Sequence, residues 1–82
     1  MTMNNLEIID TELGKIPVLV TEVIENGEIR YDGRMLDDNM KILIQTPTKE
    51  TCLKGLANAF EIQMHFWLYN QLLPINIGFR NE

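Results

Sequence analysis

A helix-forming stretch from Thr48 to Leu73 carries two apolar stripes where a surface helix needs one. At 100° per residue, Leu53, Leu56, Ala57, Phe60, Met64, Trp67 and Leu68 fall on one face. Gly55, Ala59, Ile62, Phe66, Tyr69 and Leu73 recur at steps of three and four on the opposite face. A helix that is apolar on two sides must be covered on two sides, and a single sheet covers one. The second stripe therefore calls for another layer. That layer is a second copy of the chain, a different protein, or the chain's own first and last strands folded back as a third layer.

The remaining elements follow from local signals. Leu6 to Leu13 has strand-like residues, with a turn offered by Gly14-Lys15. Ile16 to Glu25 alternates more cleanly, with Ile16, Val18, Val20 and Ile24 on one face and Leu19, Thr21 and Val23 on the other. Pro17 has no ladder donor and belongs near the strand start or at an edge. Asn26-Gly27 supplies the two positive φ angles of a type I′ hairpin turn, which sets Glu25 opposite Glu28 and Ile24 opposite Ile29. Asp32-Gly33 reads as a second turn, with Arg34-Met35-Leu36 as a short return strand. Asp37-Asp38-Asn39 reads as a third turn, and Met40 to Gln45 as a compact strand. Thr48, or Thr46 with Pro47 in the first turn, caps the helix. Pro74 stops it, and Ile75, Ile77 and Phe79 alternate in a last strand.

The expected fold is α+β in the order β-β-β-β-α-β. An antiparallel sheet of four to five strands carries one long helix across one face through Leu53, Leu56, Phe60, Met64 and Trp67. Eighty-two residues make a single domain, 1–82.

Charge and composition narrow the function. Residues 1–38 hold nine acidic and three basic side chains, a net of −6, and residues 39–82 hold three and four, a net of +1. Their sum is the overall −5. Phosphate-backbone binding depends on clustered Lys and Arg, so direct contact with nucleic acid is not expected. The acidity keeps the chain soluble, or else Glu22, Glu25, Glu28 and Asp32 form an acidic face for a basic protein partner. No apolar run reaches the roughly 18 residues of a membrane span, and the amino terminus has neither the basic nor the apolar region of a secretory signal. The lone Cys52 rules out an intrachain disulfide and fits a reducing cytoplasm.

Catalytic groups are sparse. Cys52 and His65 are the only thiol and imidazole, and one straight helix sets them about 20 Å apart. That exceeds the hydrogen-bonding distance a nucleophile and its base require. Asp32, Asp37 and Asp38 lack the alternating ligands and closing Glu of a calcium loop, and turn formation accounts for them. No Gly-rich phosphate loop, CxxC or HExxH occurs, so no metal or cofactor is expected and the chain is not read as an enzyme.

In element order the segments Ile16–Ile24, Glu28–Tyr31 and Met40–Gln45, followed by Thr48-Lys49-Glu50 opening a helix, resemble the amino-terminal half of HicB-type antitoxins. Such antitoxins usually carry a Pro- and Gly-containing loop where this chain has Arg34-Met35-Leu36-Asp37-Asp38. Small acidic phage-encoded inhibitors look similar at the same level. These resemblances imply a non-catalytic interaction or inhibitor protein. The helix implies a homodimer through Gly55, Ala59, Ile62, Phe66, Tyr69 and Leu73. The alternatives are a small-molecule-binding domain, with a pocket between sheet and helix near Trp67, Tyr69 and Phe79, and an accessory subunit of a larger complex.

Overall fold

A computed structural model describes residues 2–37 and 39–72, and the side chains of residues 2–37 and 39–70. Four antiparallel strands, β1 (Thr2–Thr11), β2 (Gly14–Glu25), β3 (Glu28–Met35) and β4 (Leu43–Thr46), pair in chain order. One helix, α1 (Lys49–Leu72), then crosses one face of the sheet. The fold is α+β, β-β-β-β-α, as expected over the described residues; the last strand expected at Ile75–Phe79 lies outside them.

The hairpins are set by their turns. Asn26 and Gly27 have φ of 53° and 79°, the left-handed values a type I′ turn requires, and Glu25 faces Glu28 with Ile24 opposite Ile29. The β1–β2 turn falls at Glu12-Leu13, two residues before the Gly14-Lys15 expected for it. There the Leu13 N–H donates to Thr11 Oγ1 at 3.1 Å, and that hydroxyl donates to the Gly14 carbonyl at 2.8 Å. β1 also begins four residues earlier than the alternation suggested, so that it pairs along nearly the full length of β2. Pro17 lies just past the final β2–β3 rung, Val18 opposite Met35, where no ladder donor is needed on that side.

Asp32-Gly33 is not a turn. β3 runs straight through both residues to Met35, so the expected return strand at Arg34–Leu36 is the end of β3 itself. Gly33 sits on the rung Asn5–Val20–Gly33–Ile44, directly beneath the helix. A Cβ at this position would meet Cys52 Sγ and Leu56 Cδ1, each at 2.6 Å. The absent side chain is what lets α1 lie close to the sheet. The expected Met40–Gln45 strand contracts to Leu43–Thr46, with Met40 tied back to the Asp37 carbonyl at 3.0 Å.

The core lies between the sheet and the first three turns of α1. Ile9, Val18, Val20 and Met35 from the strands meet Cys52, Leu56 and Phe60 from the helix. Leu53, Ala57, Met64, Ile16, Tyr31, Ile42 and Ile44 surround them. Thr48 caps the helix, its Oγ1 accepting from the Thr51 N–H at 3.2 Å. Lys49 Nζ reaches Glu7 Oε2 at 2.8 Å and fixes the start of α1 over β1.

Candidate interaction surface on the projecting helix

A 24-residue helix is about 36 Å long, between the roughly 33 Å of ten-residue β1 and the roughly 40 Å of twelve-residue β2, so its reach over the sheet depends on where it starts. With its start anchored over Glu7 in the middle of β1, α1 overruns the sheet at the end where Thr11, Glu12 and Leu13 turn. The overrun decides the fate of both apolar stripes. The first leaves the sheet after Met64, so Trp67 and Leu68 do not pack across it as expected; they are exposed, Trp67 by 52%. Trp67 has the right angle for core packing, but no described strand lies beneath it.

The second stripe divides. Gly55 is taken up inside the fold, where a Cβ would come within 2.9 Å of Ile44 Cγ2, and Ala59 is half-buried. Ile62, Phe66 and Tyr69 are bare, at 62%, 68% and 61% exposure. Leu73 lies outside the described residues. The structure thus brings Ile62, Phe66 and Tyr69 together on a projecting helix, ringed by Trp67 and Leu68, two residues that angular assignment had placed in the core. What exposes them is where the helix starts over the sheet, at Lys49 above Glu7, which no local sequence signal carries.

The turn Glu12-Leu13 braces the root of this projection. The Glu12 N–H donates to Glu61 Oε2 at 2.8 Å, and Glu12 Oε1 lies 3.2 Å from His65 Nε2. Beside the brace, Glu12, Asn58, Glu61, Ile62, His65, Phe66 and Tyr69 line an open cleft of about 590 Å³. The described part of the sheet–helix interface itself is filled, with Val18, Val20, Cys52 and Leu56 fully buried.

The four acidic residues singled out in the sequence do not share a face. Glu22 lies half-buried on the helix side, on the rung with Met3 and Tyr31. Glu25 and Asp32 lie on the opposite side and are gathered by one cation. Arg30 donates to Asp32 Oδ1 at 2.8 Å and Oδ2 at 3.1 Å, and to Glu25 Oε1 at 3.2 Å. Glu28 is exposed beside the turn.

Cys52 is fully buried, its Sγ 3.7 Å from the Ile44 carbonyl, and burial pushes its thiol above the ordinary range against a smaller opposing hydrogen bond from Thr46. His65 follows it thirteen positions later along the helix, about 20 Å away. Asp37 closes its own turn by accepting from the Asn39 N–H at 2.9 Å. Among the described residues no three of His, Cys, Asp and Glu converge on a point, and no helix is long and apolar enough to cross a membrane. Comparison with family models, curated proteins and solved structures gives no match.

Proposed function

We propose that this chain is a non-catalytic interaction protein of the antitoxin or inhibitor kind, working as a homodimer through the bare apolar strip on the projecting end of α1. The observation that carries this reading is the exposure of Ile62, Phe66 and Tyr69 along one line of the helix, with Trp67 and Leu68 beside them. Fully burying such a side chain contributes roughly 1.5–3 kcal/mol. Three of them approach the net stability of a small domain, about 5–15 kcal/mol. A contiguous apolar patch of this kind marks a contact surface. A twofold contact needs only one self-complementary strip. The lone buried thiol suits a reducing cytoplasm.

In this arrangement Glu22 and Glu28, which Arg30 does not gather, are the acidic groups left for a basic protein partner. The open cleft against Phe66 and Tyr69 supports a second reading, a small-molecule site at the same strip. A ligand that prefers the folded chain raises its melting temperature, and Phe66→Glu abolishes that rise.

Light scattering after size exclusion tests the main reading on wild type and Phe66→Glu at several concentrations. The expected result is a wild type heavier than a monomer, with lower mass and intact folding in the variant. A wild type unaffected in mass by Phe66→Glu overturns it.

A further inference from the structure

We infer that the outer edge of β1 is a second self-association surface, at which β1 pairs antiparallel with β1 of another copy so that Leu6 faces Leu6 and two four-stranded sheets become one of eight. This goes beyond the helix contact and does not depend on it. β1 is an edge strand whose ten rungs against β2 run without a break. In antiparallel pairs, alternate residues exchange both of their hydrogen bonds. The turns close on Thr11 opposite Gly14 and Glu25 opposite Glu28, which directs the backbone groups of the odd-numbered β1 residues toward β2. Pro17 fits the same alternation, since its nitrogen then faces away from β1. The N–H and C=O groups of Thr2, Asn4, Leu6, Ile8 and Asp10 therefore point outward, and no described strand receives them.

Exposed edges are ordinarily blunted by shortness, Pro, Lys or a bulge. β4, the other edge, has four residues and is followed by Pro47. β1 has ten residues with no Pro, Lys or bulge, and the charged residues it does carry, Glu7 and Asp10, are each paired with a lysine of the same chain. Instead it carries Leu6 and Ile8, 67% and 63% exposed, on the sheet face that α1 does not cover. Leu6 shares its rung with Leu19, beyond which lie Arg34 and Leu43.

Charge permits a second copy at this edge and sets its register. The two carboxylates on β1 are already held by lysines of the same chain, Glu7 by Lys49 at 2.8 Å and Asp10 by Lys15 at 2.6 Å, so joining two edges brings together no uncompensated charge. A pairing centred on Glu7 would set two carboxylates directly opposite, which is unfavourable. Centring on Leu6 places Glu7 opposite Asn5, Ile8 opposite Asn4, Ile9 opposite Met3 and Asp10 opposite Thr2. It also brings each Leu6 diagonally against Ile8 of the other copy. A shift toward Asn5 shortens the ladder.

The test uses the full chain with Leu6→Lys, Leu6→Cys and Ile8→Cys, all at exposed positions that the core does not use. In the inferred register the Leu6→Cys thiols sit on strands about 5.5 Å apart, within the roughly 4.4–6.8 Å span of a disulfide. The Ile8→Cys thiols are offset by four residues, about 14 Å. The expected result is a lower mass for Leu6→Lys at unchanged circular dichroism, oxidative crosslinking of Leu6→Cys, and none of Ile8→Cys. Unchanged mass in Leu6→Lys together with no crosslinking of Leu6→Cys overturns the inference. So does a monomeric wild type whose Leu6 and Ile8 amides resist hydrogen exchange at every dilution, since a segment of the same chain would then occupy the edge. Phe66→Glu reports separately on the helix strip: a mass lowered by one variant and not the other retains one surface and removes the other.

Discussion

The Cβ that Gly33 lacks would stand 2.6 Å from the Sγ of Cys52. The helix lies directly on the sheet backbone at this pair, and neither residue has space to yield, since Cys52 and Leu56 above Gly33 are both fully buried. Gly33→Ala is expected to destabilise the fold by about 1–3 kcal/mol, the usual cost of overpacking a filled core. Urea unfolding measures it. In a double-mutant cycle with Cys52→Ala the losses combine to less than their sum, because removing Sγ makes room for the new methyl.

Gly55→Ala sets helix propensity against a single contact. Ala gains about 1 kcal/mol over Gly inside a helix. The added Cβ would lie 2.9 Å from Ile44 Cγ2, an atom that a β-branched side chain cannot swing aside. The substitution is expected to destabilise the wild type by about 1 kcal/mol, and to stabilise an Ile44→Ala background by about the same amount. Urea midpoints in both backgrounds check the change of sign.

Alkaline pH should weaken the fold in two stages. Burial raises the Cys52 thiol above its ordinary value, and the hydrogen bond that Lys49 donates to Glu7 raises the Lys49 ammonium likewise. Both groups hold their protons more tightly folded than unfolded. Their contributions are therefore complete below the unfolded values, about 8.5 and 10.4, and are lost as pH rises through the folded ones. Urea midpoints from pH 7 to 11 are expected to fall across this range. Cys52→Ala removes the earlier part of the decline, and Lys49→Met the later part.

Trp67, the only tryptophan, stands on the overrun next to Phe66. Its emission is expected to be that of a solvated indole in dilute protein and to shift to shorter wavelength as concentration drives association through the strip. Phe66→Glu is expected to abolish that shift while leaving the far-ultraviolet circular dichroism unchanged.

Features governed by neighbours in sequence were legible in the chain. Asn26-Gly27 dictates its own turn and with it the β2–β3 register, and Thr48 announces the start of α1. What could not be read depends on partners far along the chain. Gly33 follows Asp32 and so carries a turn signal, but its reason for being glycine is a helix twenty residues later. Gly55 likewise answers to Ile44. Trp67 has the angular position of a core residue, and only the end of the sheet removes it from the core. Angular position sorts the faces of a helix; it does not say how far the supporting layer extends. The outward edge at Leu6 and Ile8 is not legible for a related reason, since the neighbours of a strand are set by the order in which the strands pair.

The overrun of α1 separates two kinds of constraint along one element. Up to Met64 the helix is bound to the sheet, and a substitution there is read first as a change in folding. Beyond it, Phe66, Trp67 and Tyr69 can be exchanged with little effect on the core. Proteins sit close above a stability threshold, and most changes move them toward it. In the proposed homodimer, contact residues carried on an overhang escape that coupling, so partner preference can drift quickly while the fold stays fixed.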